Sequence, residues 1–80
     1  MNEHDIYDQL TLIFREVFDD EGLDISKNTN ASEIDEWDSM MHISLVVSIE
    51  RHFQIRLSSA QIAELNDVGE MVEVIKAKIR

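Results

Sequence analysis

The 80-residue chain has no cysteine, no proline, two glycines, five aromatic residues, and only seven lysines and arginines against seventeen aspartates and glutamates. Without cysteine there is no disulfide framework and no thiolate metal site. The shortage of bases leaves a formal charge of −10. That argues against nucleic acid, whose affinity comes from neutralising phosphates with lysine and arginine, and equally against anionic membrane surfaces. No apolar run approaches the roughly 20 residues a membrane span needs. A chain of this length forms one domain, residues 1–80, that buries only about 60% of the surface its unfolded form exposes. It leaves no room for a cleft between two lobes. The apolar share, 44%, suffices for folding rather than disorder. No helical segment carries a sustained heptad seam, so a monomer is expected. These counts point to a soluble, cytoplasmic protein that works through partners.

The charge is uneven. Residues 1–50 hold thirteen acids and two bases (Arg15 and Lys27), whereas residues 51–80 hold four acids and five bases. An acidic front can steer the chain toward a basic patch on another protein. Acidity that only keeps a small domain soluble is the alternative.

Helical periodicity dominates the pattern. Ile6, Leu10, Ile13, Phe14 and Val17 share one face of a helix over about residues 3–18. Gly22 is the residue expected just beyond its end. A second helix is predicted over Ser39–Phe53, capped by Asp38 or Ser39, with Ile43, Val46, Ile49 and Phe53 on its inner side. A short turn of helix fits Ser59–Leu65. The last helix starts at Asn66 or Asp67, repeats Val68, Val72, Ile75 and Ile79, and ends on Lys76, Lys78 and Arg80, where cations favour the helix dipole. About twenty residues, 19–38, read as a long loop, pinned by Leu23, Ile25 and Ile34. Such a length signals either function or a missed element. The expected fold is all-α: a small four-helix bundle, three helices long and one short, with the long loop between the first two.

Few residues could carry chemistry. His4, His42 and His52 have no zinc-ligand spacing. Asp19, Asp20, Glu21 and Asp24 fail the calcium-loop pattern, since counting back from Gly22 puts Val17 at its first ligand position. His42 lies three residues after Ser39 on one helical side, which permits a Ser–His contact. Nothing in the sequence supplies an oxyanion hole beside it, and a solvated His42 is the plainer expectation. The informative place is Glu33-Ile34-Asp35-Glu36-Trp37-Asp38-Ser39-Met40. A serine opening a helix turns its hydroxyl outward beside the unpaired amides of the first turn, which favour a phosphate. A bare N-cap, worth about 1 kcal/mol, is the structural alternative.

Asp38-Ser39-Met40, then His42-Ile43-Ser44-Leu45-Val46, Ile49-Glu50 and Phe53-Gln54-Ile55, resembles the carrier-site helix of acyl carrier and peptidyl carrier proteins. The likeness extends over nearly the whole chain. It implies that Ser39 takes 4′-phosphopantetheine from coenzyme A through a phosphopantetheinyl transferase. The arm's thiol then holds an acyl or aminoacyl thioester for a loading enzyme and a downstream acyltransferase or synthase. On this resemblance the chain is not an enzyme and holds no metal, and its reactive sulfur is imported with the cofactor. Partner recognition is expected at Asp38, Met40, Met41 and Glu50. A short acyl group could shelter near Val47, Ile62 and Ala63, which otherwise serve as ordinary core. Trp37 replaces the small residue common before Asp-Ser in fatty-acid carriers, and is expected to cover the loop against the core. Only Glu50 is acidic among Ser44, Glu50 and Arg51, positions where fatty-acid carriers tend to be acidic. The resemblance therefore favours a stand-alone carrier of polyketide, nonribosomal-peptide or polysaccharide synthesis. A housekeeping fatty-acid carrier and an unmodified acidic interaction domain are the alternatives.

Overall fold

A computed structural model describes residues 2–79. Four helices follow one another: α1 (Glu3–Val17), α2 (Ser39–Phe53), α3 (Ser59–Ala63) and α4 (Val68–Ile79). Among the described residues there is no strand, only an isolated bridge between Asn30 and Asp67. α1 packs chiefly against α2 and α4. Ile6, Leu10 and Phe14 from α1 meet Leu45 and Ile49 from α2 and Val68, Met71, Val72 and Ile75 from α4 in one buried core.

Each helix starts on a side chain suited to it. Asn2 accepts the Asp5 N–H at 2.9 Å, Asp38 accepts that of Met41 at 2.9 Å, and Asp67 accepts that of Glu70 at 2.8 Å. Ser58 and Gln61 form a reciprocal capping box at α3. These bonds satisfy donors that the helix geometry leaves without an internal partner. The cap of α4 is thus Asp67. Arg80, expected at the end of that helix, lies outside the described residues.

Three expectations need correction. Gly22 does not terminate α1. Asp19 does so, in the left-handed region at φ 51°, while the amides of Asp20 and Asp19 return to the carbonyls of Arg15 (2.9 Å) and Glu16 (3.3 Å). A short polar side chain tolerates that conformation, so glycine was not required. α3 ends at Ala63 rather than Leu65, and Leu65 is buried beyond the helix. Ile43 is 57% exposed rather than on the inner face of α2, where Leu45, Val46, Ile49 and Phe53 are buried. At about 100° per residue, Ile43 lies roughly 105° from the centre of that stripe.

The long loop is tied down at intervals, which is how it stays ordered without secondary structure. Arg15 donates to the Leu23 carbonyl at 2.7 Å and to Asp24 at 2.9 Å. The amides of Val68 and Gly69 donate to the carbonyls of Thr29 and Lys27, both at 2.9 Å. Thr29 is buried, and its hydroxyl accepts the Ser26 N–H at 2.9 Å. Ile34 and Trp37 are buried, Leu23 and Ile25 half-buried against the core. The loop therefore delivers its last residues to the start of α2 in a fixed position.

Candidate functional site

Trp37 anchors the junction. Its ring meets Phe14 edge-on at 5.4 Å and lies 6.2 Å from Phe18. This aromatic cluster joins the end of the loop to α1, as expected of a residue covering the core. The chain turns outward immediately after it. Asp38, Ser39 and Met40 are all exposed.

Capping is done by Asp38, with φ −108° and ψ −171°, and Ser39 is the first helical residue. The first backbone bond of α2 runs from the His42 N–H to the Asp38 carbonyl at 2.9 Å. The amides of Ser39 and Met40 precede it and point out of the helix end. Within α2 itself the first turn holds no acid, and the one carboxylate at this helix end is that of the cap, Asp38, engaged by the Met41 N–H. Among the described residues no hydrogen bond ties down the Ser39 hydroxyl. A groove of about 460 Å³ opens beside it, lined by Ala31, Trp37, Asp38, Ser39, His42 and Ile43. The arrangement offers a free oxygen nucleophile, two amides suited to a phosphate, and an approach from solvent.

The other predicted residues distribute differently. Met40 is 79% exposed, whereas Met41 is half-buried and packs on the core. Glu50 is half-buried, its carboxylate accepting the Leu57 N–H at 2.8 Å, so it braces the segment between α2 and α3. Val47 is 44% exposed, Ile62 is half-buried against the core, and Ala63 is exposed. The groove at Ser39 includes none of these last three. Among the described residues no group of three or more His, Asp or Glu side chains could hold a metal ion.

His42 is neither solvated nor paired with Ser39. It is half-buried, stacked on Trp37 with 6.0 Å between ring centroids and 17° between planes. The Trp37 Nε1–H donates to its Nδ1 at 3.1 Å, and its Nε2 bonds the Ile62 carbonyl at 3.2 Å. With both nitrogens occupied, the Ser–His nucleophile has no base. A helical projection carried the signal: at about 100° per residue His42 falls at the centre of the inner stripe of α2.

With the geometry established, comparison with known proteins adds the following. The family described as phosphopantetheine attachment site matches residues 8–75. The solution NMR structure of holo acyl carrier protein from Geobacter metallireducens is similar to this chain, with a TM-score of 0.86 and 38% sequence identity over 91% of this chain and 84% of that one. No curated protein gives a significant match.

Proposed function

We infer the function from this premise: the chain belongs to the phosphopantetheine attachment site family, which spans residues 8–75. It is a carrier that takes a phosphopantetheine group and catalyses nothing itself. We assign the attachment point to Ser39 and read the chain as an acyl carrier protein. The observation that carries this assignment is the exposed serine at the first position of α2, its hydroxyl released from capping because Asp38 does that work at 2.9 Å. Transfer joins the Ser39 oxygen to the phosphorus of the arm and releases the adenosine bisphosphate portion of coenzyme A; the serine proton passes to a base on the transferase. Once attached, the arm supplies a thiol that holds cargo as a thioester. The residues of this chain would hold the linkage at a fixed helix end, where the amides of Ser39 and Met40 could bond the phosphate.

The outward face of α2 favours a dedicated partner set. Met40, Ile43 and Val47 are 79%, 57% and 44% exposed and lie on one side of the helix at spacings of three and four. The only acid in α2, Glu50, is turned to the Leu57 amide. Partners of this carrier grip an apolar stripe next to the attachment point, with Asp38 at its end, and Met41 and Glu50 support the helix from behind. Flexible Met40 suits a surface that meets several enzymes in turn. A specialised biosynthetic pathway, cytoplasmic and served by its own loading enzyme and acyltransferase or synthase, fits this face better than fatty-acid synthesis does.

Intact mass tests the assignment. Incubated with coenzyme A, Mg²⁺ and a promiscuous phosphopantetheinyl transferase, the parent should gain one phosphopantetheine and Ser39→Ala none. A parent left unmodified by several transferases would return the chain to the class of unmodified acidic interaction domains.

A further inference from the structure

α3 is lightly held. None of its five residues is buried, and the principal helix packing joins α1 to α2 and α4. Its polar tie to the arm-bearing helix is the bond between His42 and the Ile62 carbonyl, at 3.2 Å. The other side of the same ring accepts the Trp37 indole N–H at 3.1 Å. An indole N–H only donates and a carbonyl only accepts. Both bonds therefore require a neutral ring with its proton on Nε2. The other neutral tautomer satisfies neither partner, and the imidazolium keeps the Ile62 bond while losing the one from Trp37.

We propose that His42 is a positioning residue, a latch in a single tautomer that fixes α3 and the last turn of the loop against the first turn of α2. Trp37 and His42 both line the groove beside Ser39, so the latch also sets the wall of that groove. Asp38 is the charged group on the same groove. Ser59–Ala63 carries no titratable side chain, the nearest along the chain being Glu64 at the end of α3. From α1 and the residue that follows it, Trp37 is met by the rings of Phe14 and Phe18 rather than by charge. The two ends of the latch are thus separable: loss of the Nδ1 acceptor releases the loop end, and loss of the Nε2 donor releases α3. The consequence for presenting the arm rests on the assignment of Ser39 above; the latch itself does not.

Two conservative variants divide the bonds. His42→Asn places an oxygen near the position of Nδ1 but does not reach Ile62, whereas His42→Gln places an amide N–H near Nε2. Hydrogen exchange on the unmodified chain should be about tenfold faster at the amides of Ile62 and Leu65 in His42→Asn, the loss of one hydrogen bond. His42→Gln should restore slow exchange there, and α1 amides at Leu10 and Phe14 should not change. Ring nitrogen spectra of the parent should show Nδ1 bare and Nε2 protonated. The emission of Trp37, the single tryptophan in the chain, should shift in His42→Gln, which loses the Nδ1 acceptor, and stay closer to the parent in His42→Asn. Unchanged α3 exchange in His42→Asn, equal acceleration in α1, the opposite tautomer, or the same Trp37 emission in both variants each overturns the latch. Should Ser39 take phosphopantetheine while α3 ignores His42, the carrier reading stands and the latch falls; the reverse pair of results separates them the other way.

Discussion

α1 and α3 begin alike and are held very differently. Asn2 caps the first and Ser58 the third, each accepting an amide three residues on. α1 then buries Ile6, Leu10, Ile13 and Phe14, while α3 buries none of its residues. A cap starts a helix; apolar burial of about 25 cal/mol per Å² is what keeps it in place. The bundle is therefore a firm frame of α1, α4 and the inner face of α2, with α3 loosely attached beside it. Ser39 sits on the border between them. Its helix is anchored in the frame through Leu45 and Ile49, which are fully buried, while its neighbour His42 reaches across to α3. Elements that must move for function come from the less stable end of a fold.

The contrast is sharpest in the core. Phe14→Ala removes a fully buried ring that touches both Phe18 and Trp37, and should cost about 3–5 kcal/mol in urea unfolding. Ile62→Ala, on half-buried Ile62, should cost roughly 1 kcal/mol globally and show chiefly as faster exchange within α3. Equal costs at the two sites would mean that α3 belongs to the frame after all. Next in size is the boundary itself. Asp38→Ala removes the α2 cap and should destabilise by about 1 kcal/mol, read from the same unfolding curves. It should also slow transfer onto Ser39, because the first turn that presents the hydroxyl frays. Asp38→Asn, which retains an acceptor, should recover most of the stability. If Asp38→Ala leaves both stability and transfer unchanged, the cap does not position the serine.

Most of the frame was legible in the sequence, because α1 and α4 repeat aliphatic residues along one dominant face, Leu12 being the exposed exception in α1. α2 was read less well. Its sequence is apolar nearly all round, Met40, Met41, Ile43, Leu45, Val46, Val47 and Ile49, so several faces look inner and periodicity alone chose Ile43 wrongly. The same excess is what leaves an apolar stripe in solvent. At the candidate site, the place of Ser39 at the start of α2 was legible in the sequence, while its choice over a bare N-cap came from the family likeness. The engagement of His42 was not, because it depends on Trp37 from the loop and on a backbone carbonyl twenty residues later, neither of which has a pattern along the chain. Glu50 likewise looked like a surface charge; its bond to the Leu57 amide needs the α2–α3 turn to exist first.

The smallest expected effect lies at the far end of α2, where the frame gives way to the segment leading into α3. Gln54 follows the helix with φ 56° and ψ 50°, and its N–H bonds the Glu50 carbonyl. The Ile55 N–H reaches the same carbonyl at 3.0 Å, which closes the helix. A left-handed conformation costs a residue with a Cβ roughly 1–2 kcal/mol, and glycine escapes that cost while giving up more freedom on folding. Gln54 is exposed, so its side chain loses little packing on replacement. Gln54→Gly should therefore stabilise the chain by about 0.5 kcal/mol, seen as a small rise in the urea midpoint with an unchanged slope. Because the turn is shared by α2 and the segment before α3, the gain should leave exchange at Ile62 as fast relative to α1 as before. A gain confined to α3 would instead place this turn, rather than His42, in control of how firmly that helix is held.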